Sequence, residues 1–270
     1  MVTSGRRRVW WSEYRTSEYS GIDPDRTIAV LPLAAIEQHG PHLPVGTDTL
    51  IAAGMLESAI AVLPDDLDAR ILPVQAVGKS NEHLYAPGTL TLPAGVAIEA
   101  WTELGLSVHR AGMRKLVLVN SHGGNEEIMG IVARELRVCC GMLAVKTSWM
   151  RFGLPEGLFS EAETRLGIHG GDVETSLMLH FRPDLVDMAA AQDFPSLAAE
   201  MRGRYRHLAP TGTHAFAWMA SDLNPHGVVG DASAATAEKG RRVAEHQARG
   251  FMELLQEVRA VELSAGFAAF

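Results

Sequence analysis

The chain has 270 residues, of which 47% are hydrophobic and 21% charged, the proportions of a globular protein that buries a substantial core. Its formal net charge of −8 argues against a nucleic-acid partner, because binding to phosphate groups needs a basic face. No apolar run approaches the roughly 20 residues that span a bilayer, and Arg6 to Arg8 precede Val9-Trp10-Trp11 rather than a signal-peptide core. We therefore expect one cytoplasmic domain over residues 1–270, with its core at about 27–261, that binds neither nucleic acid nor membrane.

Short aliphatic runs alternate with longer helical patterns along the chain. In order, the pattern predicts strand 27–31, helix 49–63, strand 69–74, helix 95–111, strand 115–120, helix 126–138, strand 143–148, helix 172–180 and helix 235–261. This alternation is typical of βαβ units, and the run 115–120 is apolar on both faces, as in a buried central strand. The predicted fold class is therefore a layered α/β domain with a mostly parallel sheet.

Two segments, 151–170 and 191–225, fit this scheme poorly because glycine, proline, histidine and aromatic residues are scattered in them without a period. Long irregular segments of compact domains are often functional loops or oligomer contacts. We expect these two segments to carry specificity.

The two cysteines of the chain, Cys139 and Cys140, are adjacent. A bond between neighbouring cysteines is strained, and a disulfide framework is impossible with this spacing. We interpret both residues as small core residues of a helix.

The segment 37–48 mixes acids and histidines directly after an apolar run. Glu37 and His39 at i and i+2 of an extended chain point to the same side, and Asp48 follows nine residues later. Carboxylate and imidazole ligands suit zinc, manganese or iron, and open α/β sheets bind their ligands just past the carboxyl ends of strands. These three residues predict a metal site, whereas His42 is equally compatible with a buried structural histidine.

The segment 120–125 is a glycine-containing turn between a strand and a helix, and it holds His122. Such a turn could bind phosphate at a helix N-terminus, as in a nucleotide-dependent enzyme. However, the turn lacks the Gly-Lys-Ser/Thr ending and the G-x-G-x-x-G pattern, and the nearest basic residue, Lys115, lies at the opposite end of the preceding strand. We interpret His122 as a third metal ligand.

His169 precedes a predicted helix whose first turn carries Asp172 and Glu174. Acidic side chains in the first turn of a helix are stabilised by the positive end of the helix dipole. This effect accounts for one of the two acids. The polar loop 80–89, around Glu82-His83, carries only a weak signal by itself.

Taken together, four segments closely resemble motifs of the creatininase (creatinine amidohydrolase) family. They are 37–44 with Asp48, 80–89 with Pro87-Gly88-Thr89, 120–125, and Glu174-Thr175-Ser176, and the match runs from about 27 to 240. The resemblance implies a three-layer α/β/α sandwich with a mostly parallel central sheet. It also implies a two-metal amidohydrolase that assembles as a homohexamer.

The resemblance further implies that Glu37 and His122 bind one ion, His39 binds the other, and Asp48 bridges them. The chain departs from the family pattern at Gly124, where creatininase has a glutamate ligand. Another acid is then needed for the second ion, and we expect it to be Glu174, with Asp172 as the alternative.

By the same resemblance, His169 is the candidate general acid and base, with Glu174 also placed in the catalytic centre. We expect Ser80, Trp149 and Trp218 to line the substrate pocket. The predicted function is hydrolysis of a C–N bond in a cyclic amide, formamide or peptide-like small molecule, through water activated by two divalent ions (zinc, manganese or iron). The alternatives are a non-catalytic metal-binding protein and a peptide-cleaving cofactor maturase of the same family.

Overall fold

The computed structural model of the chain describes residues 7–263. Its strands are β1 (Ile28–Leu33), β2 (Ala69–Ile71), β3 (Lys115–Asn120), β4 (Leu143–Ser148), β5 (Asp193–Phe194) and β6 (Gly230–Asp231). Its α-helices are α1 (Thr47–Ala61), α2 (Ala94–Arg110), α3 (Glu126–Cys140), α4 (Glu161–Leu166), α5 (Asp172–Phe181), α6 (Leu197–Arg202), α7 (Ala220–Leu223) and α8 (Ala237–Ala260). The main sheet has the order β2-β1-β3-β4 with every neighbouring pair parallel, and β5 pairs with β6.

Different helices cover the two faces of the main sheet, because successive side chains of a strand point to opposite faces. On one face, Ile28 and Val30 of β1 pack with residues of α1, α5 and α8. On the other face, Ala29 and Leu31 pack with residues of α2 and α3. The predicted three-layer α/β/α sandwich with a parallel central sheet is therefore confirmed.

The predicted elements agree with the observed ones to within a few residues, and β2 shows the largest difference. It ends at Ile71 instead of residue 74. The Leu72 N–H still donates to the Val30 carbonyl oxygen at 2.9 Å, and the next bond runs from the Gln75 N–H to the Pro32 carbonyl oxygen at 2.9 Å, so three residues of one chain segment span two of the other. This extra residue, together with Pro32 of β1, which has no N–H group to donate across to β2, divides one predicted strand into a strand and an isolated bridge.

Helices α5 and α8 pack closely, with their backbones in contact at Gly240 and Ser176. A β-carbon on Gly240 of α8 would overlap the carbonyl group of Ser176 in α5. Glycine at residue 240 therefore allows the two backbones to approach, which is the general use of glycine at close contacts.

The irregular segments contain short elements, namely α4 in 151–170 and β5, α6 and α7 in 191–225.

The prediction that both cysteines are core residues is wrong. Cys139 is exposed and Cys140 only partly buried, because they occupy the last turn of α3, the turn in which Leu136 faces the core. Within residues 7–263, no helix has the length and apolar character needed to cross a bilayer. Cytoplasmic location and hexamer formation stay predictions.

Candidate metal centre

The residues predicted to bind metal lie at the carboxyl-terminal edge of the parallel sheet. Glu37 and His39 follow β1, and His122 follows β3. Asp48 lies in the first turn of α1 and Glu174 in the first turn of α5. Parallel strands bring loops that are distant in sequence to one edge of a sheet, so the fold gathers all five residues.

Glu37, His122 and Asp48 form the first group of ligand atoms. The Nδ1 atom of His122 lies 3.2 Å from Glu37 Oε1 and 3.5 Å from Asp48 Oδ2. All three side chains are buried. The inward nitrogen of His122 is therefore within reach of both carboxylates, and Glu82 also offers a ligand atom within 4.8 Å of those of Glu37 and His122.

His39, Asp48 and Glu174 form the second group. The Nε2 atom of His39 lies 3.6 Å from Asp48 Oδ1 and 3.9 Å from Glu174 Oε2, and the three residues offer ligand atoms within 4.8 Å of one another. Asp48 thus presents Oδ2 to the first group and Oδ1 to the second, which is the arrangement that a bridging carboxylate needs.

Three buried polar atoms of these groups lack a hydrogen-bond partner among the described residues: Glu37 Oε1, His39 Nε2 and Asp48 Oδ2. A buried polar group without a partner costs free energy, and more so when it is charged. All three atoms belong to the residues predicted as ligands. The donor set therefore fits divalent cations, which would satisfy each of these atoms.

The two buried carboxyl groups have opposite pKa shifts. Burial raises the pKa of Asp48, and the adjacent Glu37 carboxylate raises it further, to about 7. Burial also acts to raise the pKa of Glu37, but the neighbouring His122, together with His169 and His39, holds that pKa well below its usual range. Two carboxylates this close disfavour each other's ionisation, and a cation between them would remove that conflict.

The histidines divide into two classes. Burial acts to lower the pKa of His39 and His122, but the surrounding carboxylates together outweigh it. Asp48, with Glu174 and Glu37, raises the pKa of His39 to about 9, and Glu37, with Asp48 and Glu82, raises that of His122 to about 10. A metal ion bound there would displace the proton that each ring holds. Burial lowers the pKa of His169 to about 4 and that of His83 to about 3, and repulsion from a neighbouring histidine acts in the same direction.

The outward nitrogen of three site histidines lies beside a backbone carbonyl oxygen. The pairs are His39 Nδ1 with Glu37 O at 3.1 Å, His122 Nε2 with Lys79 O at 2.9 Å, and His169 Nε2 with Gln38 O at 2.7 Å. A carbonyl oxygen only accepts hydrogen bonds, so in the neutral ring each outward nitrogen carries the proton. The inward nitrogen of each ring is then free to bind a metal ion or to accept a proton.

The family model of creatininase, described as creatinine amidohydrolase, matches residues 12–255. The chain belongs to the creatininase family. It is 32% identical over 227 residues to the mycofactocin precursor peptide peptidase of Mycolicibacterium smegmatis, covering 83% of this chain and 82% of that protein. It is 27% identical over 263 residues to the creatinine amidohydrolase of Pseudomonas putida, covering 92% and 94% of the two chains.

Among solved structures, the manganese form of creatininase is similar to this fold with a TM-score of 0.73 and 25% identity, covering 94% of this chain and 100% of that one. Membership of the creatininase family indicates a metal-dependent hydrolase. It does not by itself name the substrate, because the two relatives are named for different ones.

Asp172, the alternative ligand for the second ion, does not reach either group of ligand atoms. Its Oδ2 atom lies 2.5 Å from Lys239 Nζ, and its Oδ1 atom accepts a hydrogen bond from the Ser176 hydroxyl at 3.0 Å. Asp172 therefore joins the start of α5 to α8, whereas Glu174 faces His39.

The three predicted pocket residues lie in different environments. Trp218 is part of the wall of an open pocket of about 760 Å³ that also exposes His122 and His169. Trp149 is buried against Phe251, with ring centroids 4.9 Å apart, beside a smaller cavity of about 180 Å³. Ser80 is fully buried, and its hydroxyl donates to Glu37 Oε2. Ser80 thus orients the carboxylate of a predicted metal ligand, and substrate contact by these three residues stays a prediction.

Three residues that the motif reasoning did not place in the site lie beside it. Glu82 Oε1 is 3.4 Å from His122 Nε2, and His83 Nε2 is 3.5 Å from Glu37 Oε1. Gln38 bonds to His83 and contacts His169. The sequence signal for Glu82 and His83 was the adjacent acid and histidine in the loop 80–89. The sequence of a loop, however, does not show which part of the fold the loop packs against. His42 Nε2 lies 3.0 Å from both Gly170 O and Thr175 Oγ1. These contacts agree with the interpretation of His42 as a buried structural histidine.

Proposed function

We propose that this protein is an amidohydrolase that holds two divalent ions per chain, zinc, manganese or iron, and hydrolyses a C–N bond. The observation that carries the proposal is the position of Asp48, with one carboxylate oxygen facing each of two groups of ligand atoms. The buried atoms of Glu37, His39 and Asp48 that lack a hydrogen-bond partner among the described residues also support the proposal. Two cations about 3.5–4 Å apart are typical of sites that activate water.

In this proposal, Glu37 and His122 would hold one ion, His39 and Glu174 would hold the other, and Asp48 would supply a carboxylate oxygen to each. Ions bound there would polarise the substrate carbonyl group and lower the pKa of a water molecule. The chain supplies the proton transfer, because His169 Nδ1 points inward, 3.5 Å from Glu37 Oε1. His169 would take a proton from the attacking water and return it to the leaving nitrogen.

The substrate that we favour is a peptide-like amide rather than a single small ring. The pocket of about 760 Å³ has the volume of a site for a larger ligand, and residues 210–219 of an irregular segment form much of its wall. The relative with 32% identity is named as a peptidase of a precursor peptide. This supports the peptide-cleaving alternative over creatinine.

The competing function is metal binding without catalysis. Such a site would saturate its ions with protein groups and leave no open coordination position. The large pocket reaches Glu37, His122 and His169, so a substrate could reach the ions from solvent. This access favours catalysis.

The test measures metal content and hydrolysis on the same sample. Protein loaded with zinc, manganese or iron is incubated with the mycofactocin precursor peptide, creatinine and an N-formyl amine, and products are followed by mass spectrometry. We expect close to two ions per chain and cleavage of the peptide that a chelator abolishes and added metal restores. Two bound ions without hydrolysis of any of the three would favour the non-catalytic function, and full activity with one ion would remove the bridging role of Asp48.

A further inference from the structure

His83 is a histidine of the site for which the proposed mechanism has no role. It ends a short 3-10 turn, Asn81–His83, and its side chain is buried. Its ring stacks on His169, with centroids 4.4 Å apart and planes at 28°. Its Nε2 atom lies 3.5 Å from Glu37 Oε1, and the residue contributes to the wall of the large pocket. The inward nitrogen of His83 therefore faces both the metal ligands and the space for substrate.

The hydrogen bonds of Gln38 determine which nitrogen of His83 carries the proton. Gln38 Oε1 accepts from the Gly40 N–H at 2.9 Å, and Gln38 Nε2 donates to the Gly227 carbonyl oxygen at 2.8 Å. These two backbone groups fix the orientation of the amide. The same Nε2 atom lies 2.8 Å from His83 Nδ1. Because an amide nitrogen only donates, His83 Nδ1 accepts, and the proton of the neutral ring lies on Nε2.

His83 thus differs from the other three histidines of the site. In their neutral form, those rings donate outward to backbone carbonyl oxygens and present a bare nitrogen inward. His83 accepts from Gln38 at its outward nitrogen and presents an N–H group inward. A protonated nitrogen cannot bind a metal ion, so His83 is not a ligand through Nε2. Its separation of 3.5 Å from Glu37 Oε1 is at the outer limit for a hydrogen bond, which leaves the N–H group available to a substrate.

We propose that His83 is a catalytic hydrogen-bond donor, whose Nε2–H contacts the carbonyl oxygen of the amide substrate and stabilises the negative charge that develops on it. This role depends on the hydrolysis proposed above. As the water oxygen bonds to the carbonyl carbon, the π electron pair moves to the carbonyl oxygen beside His83. When the C–N bond breaks, the pair returns, and the amine leaves with the proton given up by the water. His83 keeps its own proton throughout, as expected of a preorganised donor.

The kinetic test compares two substitutions of equal polarity and different length. In His83→Gln the amide N–H can reach the position of the lost Nε2–H, whereas His83→Asn ends near the position of Nδ1. We expect His83→Asn to lower kcat on the precursor peptide by about 10²–10³-fold, with KM and metal content unchanged, and His83→Gln to stay within about tenfold of the wild type. His109→Gln, in the last turn of α2, is the control for a histidine change elsewhere. Equal losses in both His83 variants, no loss in either, or loss of metal in His83→Asn would overturn the assignment.

A second measurement is independent of activity. Long-range nitrogen–proton NMR correlations report the tautomer of each histidine, and the signal of His83 is identified by its disappearance in His83→Gln. We expect the Nε2–H tautomer; an Nδ1–H tautomer would overturn the assignment even if the enzyme is active. Conversely, wild-type protein that binds two ions but cleaves none of the probes would refute the proposed hydrolysis, and with it the catalytic role of His83, even where the tautomer is Nε2–H.

Discussion

The carboxyl group of Glu82 occupies the space next to the α-carbon of Gly124. A β-carbon built on Gly124 would overlap Glu82 Oε1, the carbonyl oxygen of Lys79 and the ring of His122. Since His122 Nε2 lies 2.9 Å from that carbonyl oxygen, the same small space also holds the contact that orients a predicted metal ligand. The departure of this chain from creatininase at residue 124 is thus accompanied by a glutamate that enters from another loop.

The first prediction concerns this packing. In Gly124→Ala the added methyl group must displace His122 or the backbone at Lys79, so the outward hydrogen bond of His122 is disturbed. Loss of such an outer contact typically lowers metal affinity by about 10–100-fold, which can be measured by competition with a chromogenic chelator. In the matched control Gly123→Ala, the methyl group meets nothing within 4 Å and metal affinity should be kept. Equal affinities in the two variants would show that His122 is not held in this way.

The second prediction separates the two acids of α5. Glu174→Gln should lose one of two ions, because Glu174 Oε2 faces His39 Nε2 at 3.9 Å, while the ion of Glu37 and His122 stays bound. Asp172→Asn should keep both ions but lower the free energy of unfolding by about 1.5–3 kcal/mol, the usual contribution of a hydrogen bond to a charged group, because it weakens the pair with Lys239. Elemental analysis and urea denaturation check both results. Two ions retained in Glu174→Gln would exclude Glu174 as a ligand.

The third prediction concerns His169. His169→Ala should keep both ions and lower kcat by about 10²–10⁴-fold, the usual contribution of a positioned acid or base. The reason is that its inward Nδ1 atom is free to accept a proton, since Nε2 donates to the Gln38 carbonyl oxygen at 2.7 Å. Metal analysis beside kinetics distinguishes this role from coordination, because a variant that loses an ion would make His169 a ligand instead.

The fourth prediction concerns the pH dependence of the metal-free protein. The pKa values of His39, about 9, and His122, about 10, are raised above the value of about 6.5 in an unfolded chain. The stability that their protons contribute is present below about pH 6.5 and is lost as the pH rises through 9 to 10. Urea denaturation of chelator-treated protein should therefore give a lower free energy of unfolding at pH about 10 than at about 6.5.

The metal-loaded protein should show the opposite trend over this range, because ions compete with protons for the same nitrogens and bind more tightly as the pH rises. Metal-free protein whose stability is constant or increases over this range would contradict the raised pKa values.

Sequence alone was sufficient for the fold class, because the alternation of short apolar runs and helical patterns is local and strong. It also selected Glu37, His39 and Asp48 as candidate ligands, which lie close together along the chain after a strand end. Parallel strands explain why His122 joins them: β1 and β3 are neighbours with Leu33 opposite Asn120, so the loops after both strands start at the same edge.

Only the tertiary structure shows which of Asp172 and Glu174 lies beside His39. Residues two apart are turned by about 200° around a helix axis, so one of them faces the site and the other faces away, but no local pattern shows which. The packing of α5 on α8 decides it, because Lys239 lies 2.5 Å from Asp172 and leaves Glu174 beside His39.

The inward proton of His83 is also a property of the tertiary structure alone. It follows from three contacts of Gln38 with Gly40, His83 and Gly227, and the last of these residues lies 189 positions away along the chain. The sequence determined which chemical groups the protein carries and which strands carry them to one edge. Only the folded chain decided which nitrogen of each imidazole faces the site, because a tautomer is set by the partner of the opposite nitrogen.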